Sequence, residues 1–151
     1  MKDPKRVWVW VGVVVVAAAV AGWAVWASSP KQPVASQSGP APVFAPQGQL
    51  VPEFPKGLIL DSTAAISGSY SINYASSTNQ YTAEYNSSSS MASLYAQYKQ
   101  YLPANGWTIT GTLTTHPTFN VIAASQGNNQ LQVVVNTQSK GSQVTITYVA
   151  Q

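Results

Sequence analysis

An α+β domain is what this sequence predicts: an antiparallel sheet of about six to seven short strands, one amphipathic helix packed on one face, and a transmembrane helix ahead of both. Three observations carry that reading. Val7 to Ala27 is an unbroken run of 21 residues without a charge. From Gly57 to Gln151 the apolar side chains alternate in short runs, the period of half-buried strands. Once, between Met91 and Leu102, the spacing changes to the helical i, i+3, i+4 pattern.

The first six residues form a basic tail, with Lys2, Lys5 and Arg6 against Asp3. The apolar run that follows spans about 31 Å as a helix, the thickness of a hydrocarbon core. Trp8 and Trp10 stand at one end and Trp23 and Trp26 at the other. Indole favours the headgroup level, so this pairing reads as an aromatic belt. The basic flank places the N-terminus in the cytoplasm and the C-terminal domain outside, as a single-pass protein of the cell membrane. A cleaved signal peptide is the rival reading, but its apolar region runs only about 7–15 residues, and Trp26 fits a cleavage site poorly. The expectation is therefore an uncleaved signal-anchor at 7–27.

Ser28 to Lys56 holds seven of the ten prolines, with Gln, Ser, Ala and Gly between them. Such a segment reads as an extended linker that holds the domain off the membrane. Val51-Pro52-Glu53-Phe54-Pro55 is the stretch of it that has apolar side chains to dock. The domain itself is expected from Gly57 to Gln151.

Leu58 to Ala65 reads as a first, weaker strand. Ser69 to Ala75 sets Tyr70, Ile72 and Tyr74 on one face, and Gln80 to Asn86 does the same with Tyr81, Ala83 and Tyr85. Ser76-Ser77-Thr78-Asn79 between them reads as a hairpin loop. The helix stripe is Met91, Leu94, Tyr95, Tyr98, Tyr101 and Leu102, with N-cap hydroxyls in Ser87 to Ser90 and a left-handed stop at Asn105-Gly106. Four strands follow, with inward sets Trp107, Ile109, Leu113; Phe119, Val121, Ala123; Leu131, Val133, Val135; and Val144, Ile146, Tyr148. Their turns are His116-Pro117, Gly127-Asn128-Asn129 and Lys140-Gly141. The opposite face carries Thr108, Thr110, Thr112, Asn120, Gln132, Asn136, Thr145 and Thr147, with Ile122 and Val134 as apolar scatter. A sheet apolar on one side and polar on the other is covered once, and the helix is the expected cover.

Charge narrows the function. The net charge of +3 is mostly the tail: from Ser28 onward Lys31, Lys56, Lys99 and Lys140 stand against Glu53, Asp61 and Glu84. No basic stripe exists for phosphates, so nucleic acid is not an expected partner. There is no cysteine, hence no disulfide, thiolate metal site or lipid-modified cysteine. His116 is the one histidine, beside Pro117 in a turn, with Asp61 as its conceivable orienting partner; the reading is a solvated histidine. The scattered Glu53, Asp61 and Glu84 offer neither a catalytic carboxylate pair nor a ligand cluster, so no metal, no cofactor and no enzyme are expected. The tyrosines between Tyr70 and Tyr101 read as core rather than as an aromatic binding surface. The polar sheet face is solvated, and it is also the surface on which a partner would dock. Only 7% of residues are charged, so few carboxylates can lose native partners in acid. That points to exposure to an acidic exterior.

Tyr95 to Trp107 reads Tyr-x-x-Tyr-x-x-Tyr-Leu-Pro-x-x-Gly-Trp, after a lead-in of Phe54-Pro55-Lys56-Gly57. This resembles the helix-to-strand joint of small extracytoplasmic domains in bacterial lipoproteins and membrane-anchored proteins, in which an aromatic helix ends in Leu-x-x-x-Gly-Trp. The resemblance implies the same fold and location, and no site residue. The expected function is a membrane-anchored extracytoplasmic binding or scaffolding module of the cell envelope, non-catalytic, with an envelope protein or a glycan as partner. The alternative is a pilin-like structural subunit assembling through its hydrophobic helix; an unrecognised hydrolase comes third.

Overall fold

Residues 39–74 and 77–151 are described by a computed structural model of the chain. The basic tail, the 7–27 anchor and the first part of the linker lie outside the described residues. Among the described residues no helix is long and apolar enough to cross a membrane.

The strands are β1 (Val43–Phe44), β2 (Ala65–Asn73), β3 (Asn79–Ser87), β4 (Thr108–Leu113), β5 (Phe119–Gln126), β6 (Asn129–Thr137) and β7 (Ser142–Ala150). One helix, α1 (Met91–Ala104), and one 3-10 turn, Lys56–Leu58, complete the order. The strands form one seven-stranded sheet in the order β1-β2-β3-β7-β6-β5-β4, each neighbouring pair antiparallel. The α+β expectation therefore holds. A hairpin, β2-β3, is followed by α1, which carries the chain to the far edge. A four-strand meander then returns until β7 pairs with β3.

Local chemistry explains the elements. Ser90 caps α1, its hydroxyl accepting from Ser93 N. Leu94, Tyr98 and Leu102 form its buried stripe. Gly106 stands at φ +81°, so Trp107 N can reach back to Leu102 O and close the helix. The β5-β6 hairpin turns through Gly127 at φ +60°, a conformation that costs glycine nothing.

The strand expected at Leu58–Ala65 is absent. Asp61 breaks it: its carboxylate accepts from Thr63 N and Thr63 Oγ1, and Ala64 N bonds Asp61 O. A side chain that satisfies its own neighbours competes with strand pairing, and β2 begins only at Ala65.

The described residues from Gly39 to Gln151 form one compact unit. α1 packs chiefly on β4, β5 and β6, which leaves the β2-β3 half of the same face in need of a cover. Val51, Phe54 and Leu58 are buried in the core that holds Leu94 and Tyr98, so the end of the linker is part of the fold. Each fully buried side chain of this size contributes roughly 1.5–3 kcal/mol. Ser69 of β2 fastens the segment, accepting from Val51 N at 3.1 Å and donating to Thr82 O at 3.0 Å. Ser69→Ala leaves the buried Val51 N–H without that acceptor and is expected to lower stability by about 1–2 kcal/mol. Urea unfolding checks it, and a midpoint equal to that of the parent would remove Ser69 as the fastener.

Two bulges, between Ile66 and Gly68 and between Ile109 and Gly111, invert parts of the expected facing. Ile66 pairs with Tyr85 on the inner face, but beyond the bulge Ser69 pairs with the buried Ala83. Tyr70 and Ile72 therefore face outward, not inward. Leu113 is likewise turned out, beside Val121. In β5 the inward set is Asn120, Ile122 and Ala124, which pair with Val135, Val133 and Leu131, so Phe119, Val121 and Ala123 point outward. Ile122 fills the core where the smaller Ala123 would leave space.

Candidate functional site

Register across the sheet shows where the eight polar-face residues fall. Thr147 of β7 lies between Thr82 and Gln132, and Thr145 between Glu84 and Val134. Asn136 stands beside Gln143, and Thr108 beside Ser125. Thr108, Gln132, Asn136, Thr145 and Thr147 thus share the outer face. Thr110 sits in the β4 bulge. Thr112 pairs with Ile122 and Asn120 with Val135, which places both on the inner side. The bulge and the opposite facing of β5 are the reasons.

The outer face is less polar than expected. Val121, Val134 and Leu113 form one cross-strand row, with Phe119 next to it on β5. At the other edge Phe44, 69% exposed, contacts Tyr70 at 5.6 Å between ring centres. Thr82 Oγ1 and Gln132 Oε1 are buried without a hydrogen bond, one on each side of Thr147.

The tyrosines divide by position. Tyr85 and Tyr98 are buried in the core, while Tyr81, Tyr95, Tyr101 and Tyr148 pack at its margin. Tyr70 belongs to the outer face.

A cleft of about 260 Å³ opens where the helix stop, the 3-10 turn and the end of the sheet meet. Gly106 turns the chain so that Trp107 lies against Tyr148, edge to face at 6.1 Å. Tyr148 in turn stacks on Tyr81 at 6.0 Å. Gln126, at the end of β5, donates from Nε2 to Asn105 O, and Asn105 Nδ2 donates to Tyr101 O. Pro55, Gly57 and Leu58 close the remaining side. The fit there is tight: a Cβ on Gly57 would stand 3.1 Å from the Tyr101 hydroxyl, which would have to give by a few tenths of an ångström.

Two features set this cleft apart. Its lining contains no charged residue. Trp107 is 8% exposed, yet its indole N–H donates to no acceptor among the described residues. It is not among the fully buried polar atoms without a partner, so it keeps some contact with solvent. Gln126 and Asn105 are exposed, and their amide oxygens accept nothing from the protein among the described residues and are open to solvent. The cleft was not legible in the sequence. Its one trace there is the Gly106-Trp107 pair, which reads as part of the helix-to-strand joint.

His116 and Asp61 are occupied separately. His116 stacks on Phe119 at 4.0 Å and contacts Thr118 Oγ1 at 3.0 Å. Asp61 accepts from Ser87 Oγ as well as from Thr63. The Ser87 hydroxyl first, and then the Thr63 hydroxyl and N–H, hold the Asp61 carboxyl below its ordinary value. A carboxyl so lowered adds stability above its unfolded pKa of about 3.9 and loses it as pH falls through the folded value. Asp61→Asn is expected to flatten the stability–pH curve below pH about 4. Thermal melts of both proteins from pH 6 to 2 check this, and parallel curves would refute it. Among the described residues no group of three acidic or histidine side chains is placed to hold a metal.

A family model described as START domain-like matches residues 67–144, from the bulge of β2 to Val144 in β7. No curated protein and no solved structure matches the chain. The matched stretch supplies Tyr101, Asn105, Trp107 and Gln126 to the cleft, while Pro55, Gly57, Leu58 and Tyr148 lie outside it.

Proposed function

We infer function from one premise, that this chain belongs to the START domain-like family: it is a membrane-anchored, extracytoplasmic binding module that holds a ligand without converting it. The cleft is the observation that carries this reading. It is lined by the apolar and aromatic Pro55, Leu58, Tyr101, Trp107 and Tyr148 with the amide side chains of Asn105 and Gln126 at its margin, the mixture of apolar wall and few polar groups that ligand sites use. The anchor at 7–27 rests on the apolar run and its tryptophan belt. Kinship with the extracytoplasmic domains of lipoproteins and membrane-anchored proteins rests on the Leu-x-x-x-Gly-Trp joint at Leu102 to Trp107. An acidic exterior is consistent with the few carboxylates.

Full-length protein in nanodiscs, exposed to envelope extract and washed, tests the proposal. A small molecule recovered unchanged, and lost from a Trp107→Phe variant, supports it. A ligand recovered chemically altered would overturn the non-catalytic part. Retention unaffected by Trp107→Phe but abolished by Thr147→Lys would move the site to the outer face. Proteolysis of intact cells that spares the 39–151 unit would overturn its external location, and major loss of stability between pH 7 and pH 2–3 would overturn the acidic one.

A further inference from the structure

We propose that β1 is a foot that the domain sets into the outer surface of the lipid bilayer, a reading that rests on the anchor at 7–27. Among the described residues three large apolar side chains are exposed, and two of them, Val43 at 66% and Phe44 at 69%, are neighbours on β1. Consecutive residues of a strand point to opposite faces. Phe44 pairs with Tyr70 on the outer face, ring against ring, while Val43 pairs with Ser71 on the other. The apolar surface therefore wraps the rim of the sheet instead of lying on one side of it.

The shape of this rim selects its occupant. Neither the cleft at Trp107 nor the one lined by Glu53, Ser71, Asn79 and Tyr81 includes Val43, Phe44 or Tyr70, so a small molecule finds no walls there. A partner strand finds little ladder: β1 has two residues, and Pro42 and Pro46 flank it with no N–H to give. A projecting apolar rim without a pocket fits a soft apolar phase that closes around it. Tyr70 adds a ring whose body can be immersed while its hydroxyl keeps to water. Charge does not drive the contact. No charged residue lies between Lys31 and Glu53 in the sequence. Carboxylates border the rim, Glu53 in the cleft with Ser71 and Ile72 and Glu84 paired with Gly68, and these do not attract anionic headgroups.

Chain length supplies the lipid. Fifteen residues, 28–42, separate Ala27, the last of the apolar run, from Val43. They reach at most about 50 Å when fully extended and about 20 Å as a coil. β1 is thus the first strand that the tether delivers. Leu113, the third exposed apolar side chain, stands on β4 at the other edge of the sheet. Six strand spacings, roughly 29 Å, lie between the two edges. A patch tethered this close to a surface meets it at high effective concentration, so weak insertion is enough to hold it there.

The chain has no cysteine, so one introduced cysteine carries a nitroxide label at a single place. Full-length protein in vesicles of neutral lipid is labelled at Val43→Cys, or at Leu113→Cys as the far-edge control. Electron paramagnetic resonance then reads collisions with oxygen, which concentrates in lipid, and with a nickel chelate, which stays in water. The label at 43 is expected to favour oxygen over nickel several-fold more than the label at 113, in low and high salt alike. Adding Phe44→Ser should return the label at 43 to water, with the melting temperature kept because Phe44 is exposed. An aqueous label at 43, in protein that an alkaline wash leaves in the vesicles, would overturn the foot and keep the anchor. Protein stripped by the wash would overturn the anchor, and the foot with it. Equal immersion at 43 and 113, or immersion indifferent to Phe44→Ser, would overturn the assignment to β1. Dipolar broadening between labels at 43 without a gain in oxygen collisions, relieved by dilution with unlabelled protein, would give this edge to a second copy instead.

Discussion

Gly141→Ala is expected to lower stability by about 4–5 kcal/mol, enough to threaten folding in a domain whose total is about 5–15 kcal/mol. Two costs add. Gly141 stands at φ +83°, where a side chain is strained by roughly 1 kcal/mol or more. Space is the larger cost: an added Cβ would lie 2.0 Å from Ser87 O and 2.9 Å from Ser88 Cα. These are backbone atoms and cannot rotate away. The β6-β7 turn would have to leave the start of α1. Ser142 Oγ would then lose Ser89 O, now 2.9 Å away, and the Ser87–Asp61 contact would shift with it. Gly48 provides the control. It has φ +77° but nothing within 4 Å of an added Cβ, so Gly48→Ala carries only the backbone strain. Thermal unfolding by circular dichroism is expected to separate the pair by about 10–15 °C. Equal melting temperatures would show that the β6-β7 turn is not packed as described.

That the sequence foretold the turn at Lys140-Gly141 but not its packing illustrates what was legible. Local signals read well because their causes are local. Ser90, the stripe of Leu94, Tyr98 and Leu102, and Gly106 define α1 through caps and periodicity alone. Strands β6 and β7 alternate without interruption, so period alone turns Leu131, Val133, Val135, Val144 and Ile146 inward, and all five are buried. Period fails where one residue is inserted. Past the bulge at Ile66/Gly68, Tyr70 and Ile72 change sides although the alternation looks unbroken. In β5 both phases are apolar, Phe119-Val121-Ala123 and Asn120-Ile122-Ala124, and only tertiary packing selects the second.

The cleft was illegible for another reason. Its parts come from Pro55, Tyr101, Trp107, Gln126 and Tyr148, far apart in the chain, and none has a signature of its own. Proline and glutamine mark the linker as a whole as extended, and only the apolar side chains of the Val51 to Pro55 stretch point to docking. Composition averages over a segment, whereas Val51 and Phe54 are buried individually. What fixes them is a sheet half that α1 does not cover, and that is a property of topology.

The 3-10 turn just past that segment supplies the acceptor, Leu58 O, in the second expected result. Tyr98→Phe should cost about 2–3 kcal/mol, Tyr85→Phe about 1 kcal/mol, and the double variant less than Tyr98→Phe alone. The direction of two hydrogen bonds dictates this order. Tyr98 Oη lies 2.7 Å from Leu58 O and 2.9 Å from Tyr85 Oη. A carbonyl only accepts, so the Tyr98 proton goes to Leu58, and Tyr98 must accept from Tyr85. Removing the Tyr98 hydroxyl therefore orphans a buried donor on Tyr85 and a buried acceptor on Leu58. Removing the Tyr85 hydroxyl leaves only a lone pair unfilled. With both gone, Leu58 O alone lacks its partner. The second deletion thus relieves part of the first, so the coupling exceeds the cost of Tyr85→Phe itself and is about 1.5–2 kcal/mol. Burial pushes both phenols above their ordinary pKa, so the ranking should be the same at pH 7 and pH 9. A double-mutant cycle by urea denaturation reads the coupling directly, and strictly additive losses would show that no relay runs from Tyr85 to Leu58. Leu58 also lines the cleft. Tyr98→Phe is therefore expected to speed amide exchange at residues 56–60 beyond what global stability accounts for, because this relay is a tie between the cleft's outer wall and the core.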